Sequence, residues 1–182
     1  HPDELSFVLW AYGNPLVIDP GYINWDNHGY TKYSKDHSVI LIDGEGVPYD
    51  EIRNRIGSDV FLSEITHDGL VSYVSGNTSY NESDIKRTVV RINNSYFLLF
   101  DSVSFNDSDP HEVTVQINGA GVGEISESRL TIIDNQARYE SGNVFLHISF
   151  FTDGRNLSLS SRREEYAKSW GVWGYNDMLT GK

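Results

Sequence analysis

The sequence has no cysteine and a single methionine among its 182 residues. The absence of cysteine excludes disulfide bonds and thiolate ligands for zinc, although it does not exclude export from the cell. No apolar run approaches the roughly 20 residues that a membrane-spanning helix needs. Basic residues are also scarce: the sequence has 14 Lys and Arg against 26 Asp and Glu, which gives a net charge of −12. Such a chain repels a polyanion such as DNA, so nucleic-acid binding is not expected. Neither a phosphate-binding glycine loop nor a nucleotide-binding fingerprint is present.

Short apolar or alternating segments, separated by Gly, Asn, Asp or Pro, recur at roughly 8–12-residue spacing, which is typical of all-β proteins. Leu5–Tyr12 and Pro15–Asp19 flank a turn and predict a β-hairpin, and Glu112–Ile117 alternates strictly. The pattern predicts an antiparallel β-sandwich of large sheets with little helix, in a single domain over residues 1–182. The one predicted helix is short and covers about Arg162–Lys168. The aromatic segment Trp170–Tyr175 is interpreted as a last edge strand.

The chain begins on His1, directly ahead of a strand-like segment and without a signal peptide. We therefore expect a segment of a longer protein. Asn-x-Ser/Thr sequons fit an exported protein and fall in segments predicted as turns or loops. They are at Asn77, Asn81, Asn93, Asn106 and Asn156.

Three residues near the N-terminus stand at the ends of predicted strands and carry metal-binding or proton-transferring groups. His1 precedes the first apolar run, Asp19 ends the second and His37 begins the third. Imidazole nitrogen and carboxylate oxygen suit zinc, and neighbouring strand ends can converge on one edge of a sheet. The residues lie 18 positions apart in each case, which matches no local metal motif. On spacing alone, a turn role for Asp19 and a strand-end role for His37 explain them better.

The stretch HPDELSFVLWAYGNPLVIDPG, followed by KDHSVILIDG, resembles the start of the β-domain of heparinase II/III-like polysaccharide lyases. That family's pattern is His-x-His-x-Asp, a strand, a Gly-x-Pro turn, a strand ending Asp-x-Gly, then His-Asn-Thr-Val and a strand ending Asp-Gly. The matching residues are His1, Asp3, Gly13, Pro15, Asp19, Gly21, His37, Val39, Asp43 and Gly44. Further on, KRTVVRINNSYFLLFDSV resembles the family's Arg-Thr-Val strand, turn and second strand, with Arg87, Thr88, Val89 and Asp101 in place.

The resemblance implies that His1, Asp19 and His37 hold a structural metal, with zinc as the expected ion. Family members cleave a glycosidic bond next to a uronic acid by β-elimination. A His or Tyr removes the weakly acidic C5 proton, and cationic or amide groups neutralise the charge that develops on the uronate carboxylate. The chain would supply a metal-braced wall of the substrate cleft.

The loop after Asp19 holds the other candidate residues. The resemblance implies a catalytic tyrosine in this loop, with Tyr30 as the closest match and Tyr33 as the next. Lys32 and Lys35 are the candidate contacts to an acidic substrate. The alternatives are an amphipathic tyrosine packed at the rim of the cleft and lysines that are ordinary solvated surface charge.

The chain departs from the family pattern in two ways. It lacks the first His of His-x-His, and it lacks the N-terminal helical toroid, which supplies further catalytic groups. We expect the isolated chain to have little or no activity and to partner with a uronic-acid polysaccharide and with a helical domain of the same protein. The expected location is secreted, periplasmic or on the cell surface. The alternative function is a non-catalytic carbohydrate-binding or cell-surface module, which the acidic composition and the sequons favour.

Overall fold

The computed structural model describes residues 2–19, 21, 29, 31–49, 60–122, 129–141, 143–167 and 173–181. In these residues the chain forms antiparallel strands and a 3-10 turn at Ser34–Asp36, which confirms the predicted all-β fold. The strands are β1 Leu9–Ala11, β2 Asn14–Val17, β3 Ile40–Ile42, β4 Phe61–Asp68, β5 Val71–Tyr80, β6 Ser83–Ile92, β7 Tyr96–Phe105, β8 Val113–Val122, β9 Arg129–Ile133, β10 Gln136–Ser141, β11 Val144–Ser149, β12 Leu159–Ala167 and β13 Trp173–Gly181.

The chain divides into two compact units. The first contains Ser6–Gly46 and His111–Lys182, and the second contains Pro2–Leu5 and Val47–Pro110. The organisation of residues 1–182 as a single domain stays a prediction. In the part of the chain that the structure describes, no helix is long and apolar enough to cross a membrane.

The first unit is a two-layer sandwich. One sheet has the strand order β1-β2-β8-β13-β12, with β3 also paired to β8, and the other has the order β11-β10-β9. Val17, Ile117 and Ala137 are buried together between them. The apolar faces of both sheets supply this core, as expected for sheets that cover each other. Partly buried side chains that pack around it are Phe7, Leu9, Leu130, Ile132, Leu146, Ile148 and Phe150.

The second unit is a four-stranded meander in the order β4-β5-β6-β7. Asn81 and Glu82 connect β5 to β6 and both have positive φ, at 50° and 55°, as in the tight two-residue turns of β-hairpins. Strand β5 extends through a polar stretch to Tyr80. The sequon at Asn77 therefore lies within a strand, and its assignment to a loop is wrong.

The C-terminal predictions need two corrections. Residues 162–167 belong to strand β12 and pair with residues 173–178 of β13, so the predicted helix at Arg162–Lys168 is wrong as far as Ala167. The segment RREEYA consists mainly of good helix formers, but pairing along β13 outweighs this weak preference. Of the edge strand predicted at Trp170–Tyr175, residues 170–172 lie outside the described residues. The part from Trp173 belongs to β13, which pairs with β8 on its other side and is therefore internal to the sheet.

Candidate functional site

Two of the predicted metal ligands meet beside strand β8. Strands β2 and β3 both pair with the edge of β8 that β13 leaves open, β2 through Val17 and β3 through Ile40–Ile42. Asp19 follows β2 and His37 precedes β3, so both side chains lie where the two short strands approach each other. The His37 Nδ1 and Asp19 Oδ2 atoms are 2.6 Å apart. The strand pairing therefore places Asp19 and His37, two of the three ligands that the family resemblance implies, in contact.

The Asp19–His37 pair is well shielded. The His37 side chain is 0% exposed and that of Asp19 is 31% exposed. The backbone N–H of Gly21 donates to Asp19 Oδ1 over 2.8 Å. Burial raises the pKa of the Asp19 carboxyl, but the hydrogen bond and charge of His37 and the Gly21 N–H lower it by more, so the pKa lies below its usual 3.8. Asp19 is therefore an anionic carboxylate at neutral pH.

The backbone around His37 is held by two buried amide side chains of β8. Gln116 Nε2 donates to the carbonyl oxygens of Lys35 and His37, both over 2.7 Å. Asn118 Nδ2 donates to the carbonyl oxygen of Asp36 over 2.6 Å. Gln116 and Asn118 are 1% and 0% exposed. Because buried amides with carbonyl partners are costly to disrupt, they fix the turn that carries His37.

Sequence reasoning missed Gln116 and Asn118. The only signal for them is the alternation of polar and apolar residues along β8, which usually indicates that the polar face meets solvent. Here both faces are covered: Ile117 lies in the sandwich core, and the polar side binds the turn ahead of β3.

The same turn carries the candidate substrate residues. Lys32 Nζ lies 4.9 Å and Lys35 Nζ lies 5.8 Å from the centroid of the Tyr33 ring, within the range of cation–π contacts. Asp36 Oδ2 accepts a hydrogen bond from the Tyr33 N–H over 3.2 Å. The structure thus clusters Lys32, Tyr33 and Lys35 on the segment that leads into His37. The other two predicted site residues, His1 and Tyr30, lie outside the described residues.

The Asp19–His37 pair suits zinc by donor type, since zinc takes both imidazole nitrogen and carboxylate oxygen. Two ligands of one tetrahedral zinc lie roughly 3.3 Å apart, so the 2.6 Å contact opens by roughly 0.7 Å if both atoms bind the same ion. Alternatively, Asp19 accepts the Nδ1–H bond and orients the imidazole, with Nε2 as the ligand, which is common around histidine-bound zinc. In either arrangement zinc needs further ligands, and the sequence predicts His1 as one of them.

A second Asp–His pair lies in the first unit, away from the predicted ligands. Asp43 Oδ2 and His111 Nδ1 are 2.7 Å apart, and the Glu112 N–H donates to Asp43 Oδ1 over 2.8 Å. Asp43 has a φ of 54° in the turn after β3, a conformation that Asp and Asn tolerate better than most residues. The His111 hydrogen bond and the Glu112 N–H lower the pKa of Asp43 below 3.8.

Asp43→Asn should make the protein less stable at neutral pH, because the variant keeps the turn but loses the carboxylate that His111 and Glu112 bind. The folded-state pKa of Asp43 is depressed, so its contribution is fully present above the unfolded pKa near 3.8 and is lost as the pH falls through the folded value. Urea denaturation of both proteins across this range measures the difference. A stability difference that stays constant from neutral to strongly acidic pH contradicts the prediction.

Fold and site together define an antiparallel β-sandwich domain with a histidine–carboxylate pair beside a Lys-Tyr-Ser-Lys turn. The chain belongs to the heparinase II/III-like, C-terminal family, whose model matches residues 1–176. The family resemblance noted in the sequence is therefore confirmed. A search of curated proteins finds no match.

Three solved structures have a similar fold. Heparan sulfate lyase HepC from Pedobacter heparinus is 16% identical with a TM-score of 0.79, and the match covers 99% of this chain and 28% of that one. A mutant of the same enzyme is 16% identical with a TM-score of 0.78, covering 100% of this chain and 28% of that one. A heparinase III with methylated lysines is 14% identical with a TM-score of 0.78, covering 99% and 27%. The chain thus spans just over a quarter of the length of these proteins.

Proposed function

We propose that this protein is the β-domain of a polysaccharide lyase that cleaves uronic-acid polysaccharides by β-elimination. Membership of the heparinase II/III-like family supports this, as do the structural neighbours named heparan sulfate lyase. The observation that carries the proposal is the turn in which Tyr33, flanked by Lys32 and Lys35, leads into His37 and its bond to Asp19.

The turn residues have the chemistry that the reaction needs. Removal of the C5 proton places negative charge on the uronate carboxylate, and the ammonium groups of Lys32 and Lys35 are suited to neutralise it. The phenol oxygen of Tyr33, or of Tyr30 in the same loop, would accept the C5 proton or protonate the leaving oxygen. These residues would bind the substrate and move protons.

His1, Asp19 and His37 would hold a divalent metal, which we propose to be zinc. Such an ion would supply structural bracing by tying the segment after β2 to the segment before β3. The residues of the chain would then keep the Lys-Tyr-Ser-Lys turn in a fixed position on the wall of the substrate cleft. The buried amides Gln116 and Asn118 support the same turn from β8.

The domain would act together with other parts of a longer protein. We propose that a helical domain of the same protein supplies the remaining catalytic groups and that the substrate is an acidic polysaccharide. Because polysaccharides of this kind lie outside the cytoplasm, the proposed location is secreted, periplasmic or on the cell surface.

Turnover is tested by the ultraviolet absorbance of the unsaturated uronide ends that β-elimination creates. With heparan sulfate, alginate and hyaluronan, we expect little or no turnover by residues 1–182 alone and clear turnover by the full-length protein.

In the active protein, Tyr33→Phe or Tyr30→Phe should lower kcat by about 100-fold or more, because a positioned proton-transfer group contributes that much. Tyr12→Phe is the control, since Tyr12 is exposed at the β1–β2 turn. Robust turnover by the 182 residues alone, or full activity of both loop variants, contradicts the proposal.

The second candidate is a non-catalytic carbohydrate-binding or cell-surface module on the same scaffold. The net charge of −12 favours it, because an acidic protein is poorly suited to process a polyanion. Binding of a polysaccharide without turnover, even by the full-length protein, supports this second function.

A further inference from the structure

A row of polar side chains crosses one face of the sheet in the second unit. His67, Ser72 and Arg91 are direct cross-strand neighbours on β4, β5 and β6, and Phe97 on β7 is the cross-strand neighbour of Arg91. Directly paired residues of an antiparallel sheet lie on the same face. The four residues therefore form one line across the four strands.

Hydrogen bonds connect the first three residues of this row. The Arg91 Nη2 atom donates to Ser72 Oγ over 3.2 Å, and Ser72 Oγ lies 2.7 Å from His67 Nδ1. Arginine can only donate, so the Ser72 oxygen accepts from Arg91. The hydroxyl can also donate to His67 Nδ1 or accept from it, depending on the imidazole tautomer. The row consequently brings an imidazole, a hydroxyl and a guanidinium together, with guanidinium N–H groups as donors.

Arg91 has no carboxylate partner in the described part of the chain. Its Nε atom is buried there and makes no hydrogen bond. This is unusual in a chain with 26 acidic and 14 basic residues. Glu64 and Asp68 alternate onto the opposite face of β4, and Asp101, on the same face as Arg91, is already bound by Arg87. An incoming carboxylate or sulfate would supply the anionic partner that the described residues do not give this guanidinium.

We propose that the row His67–Ser72–Arg91 is a binding site for a carboxylate or sulfate group of an acidic polysaccharide. A guanidinium binds such groups through parallel N–H bonds, and the hydroxyl and imidazole add further hydrogen bonds. Phe97, which is 39% exposed, provides an apolar surface beside Arg91 for the face of a sugar ring. The sugar origin of the anion rests on the proposed function. The site uses none of the residues assigned to the metal or to proton transfer.

The test is a titration of the protein monitored by NMR, with sodium sulfate, sodium glucuronate and a heparan sulfate tetrasaccharide added separately at constant ionic strength. We expect saturable shifts of the Arg91 Nε–H and His67 ring signals with the tetrasaccharide. Shifts with sulfate but not glucuronate identify a sulfate site, and the reverse identifies a carboxylate site. The absence of any saturable shift at these two residues with the tetrasaccharide overturns the proposal.

Variants separate this site from general attraction by positive charge. Arg91→Gln should weaken tetrasaccharide binding about tenfold or more, the loss expected for one charge-assisted hydrogen bond. Arg91→Lys should recover only part of the affinity, because it keeps the charge but loses the planar fork. Arg155→Gln is the matched control, since Arg155 is an exposed arginine next to Asp153, and it should bind as the wild type does. Ser72→Ala serves as a second variant if Arg91→Gln does not fold.

Equal weakening by Arg91→Gln and Arg155→Gln, or unchanged binding by a folded Arg91→Gln, overturns the proposal. The result is independent of catalysis, because the titration needs no turnover. If the full-length protein has no lyase activity but its Arg91 and His67 signals still shift, the proposed function is wrong and this binding site is supported. If the full-length protein is an active lyase and Arg91→Gln does not change its binding, the proposed function is supported and this binding site is wrong.

Discussion

Asp101→Asn is expected to destabilise the protein by about 3–5 kcal/mol, the usual cost of removing one partner of a buried ion pair. Arg87 donates through Nε to Asp101 Oδ1 over 2.7 Å and through Nη2 to Asp101 Oδ2 over 2.9 Å. The two side chains are 3% and 13% exposed. Without the carboxylate, the buried Arg87 guanidinium would lose both of these charge-assisted hydrogen bonds. Urea denaturation of the variant and the wild type measures the loss.

The Arg87–Asp101 pair also secures the start of the chain to the sheet of the second unit. Arg87 Nη1 donates to the carbonyl oxygen of Leu5 over 2.9 Å, and Leu5 has a φ of 60°, a conformation that is costly for a residue with a Cβ. Removing the guanidinium would therefore also release a strained residue. The double variant Arg87→Met/Asp101→Leu should recover part of the loss, because apolar replacements of a buried pair are often tolerated.

Lys86→Gln provides the control for this prediction. Lys86 lies beside Arg87 in β6, but its ion pair with Glu64 is 3.9 Å long and the side chains are 46% and 54% exposed. Loss of such a surface pair should cost no more than about 0.5 kcal/mol. An Asp101→Asn variant that is as stable as Lys86→Gln would contradict a structural role for the buried pair.

His37→Gln should lower zinc affinity by about 100-fold or more, because loss of a ligand exceeds the effect of losing a supporting group. Asp19→Asn should lower it by about 10-fold or more, because Asp19 is either a ligand or the group that orients His37. Asparagine keeps the shape of Asp19 but removes the charge that the His37 ring contacts. Elemental analysis of the purified protein and competition with a chelator measure metal binding without any need for activity.

Asp43→Asn is the matched control for the metal prediction. It changes the same kind of Asp–His pair, 2.7 Å long, at residues that are not predicted ligands, so it should retain metal as the wild type does. Wild-type protein without bound metal, or equal retention by Asp19→Asn and Asp43→Asn, would contradict the metal site.

Asp19 and His37 were predicted as a pair because family motifs carry long-range information in short segments. Asp19 and His37 each have ordinary local roles, as a turn residue and a strand-end residue, and local pattern alone favoured those roles. Their 2.6 Å contact exists because β2 and β3 share one edge of β8. Gln116 and Asn118 were not predicted, because no family motif marks them and the polar face of an alternating strand normally meets water. The row His67–Ser72–Arg91 has no motif at all.

The sequence by itself determined the all-β class, the approximate strands and the turns, because alternation and turn residues act over a few neighbouring positions. It could not distinguish helix from strand at residues 162–167, where a segment of helix-forming residues pairs with β13. Only the tertiary structure decided which polar groups are buried together: Asp19 with His37, Gln116 with the turn before β3, and Arg87 with Asp101. Strand order sets these contacts, and it depends on packing between segments far apart in the chain.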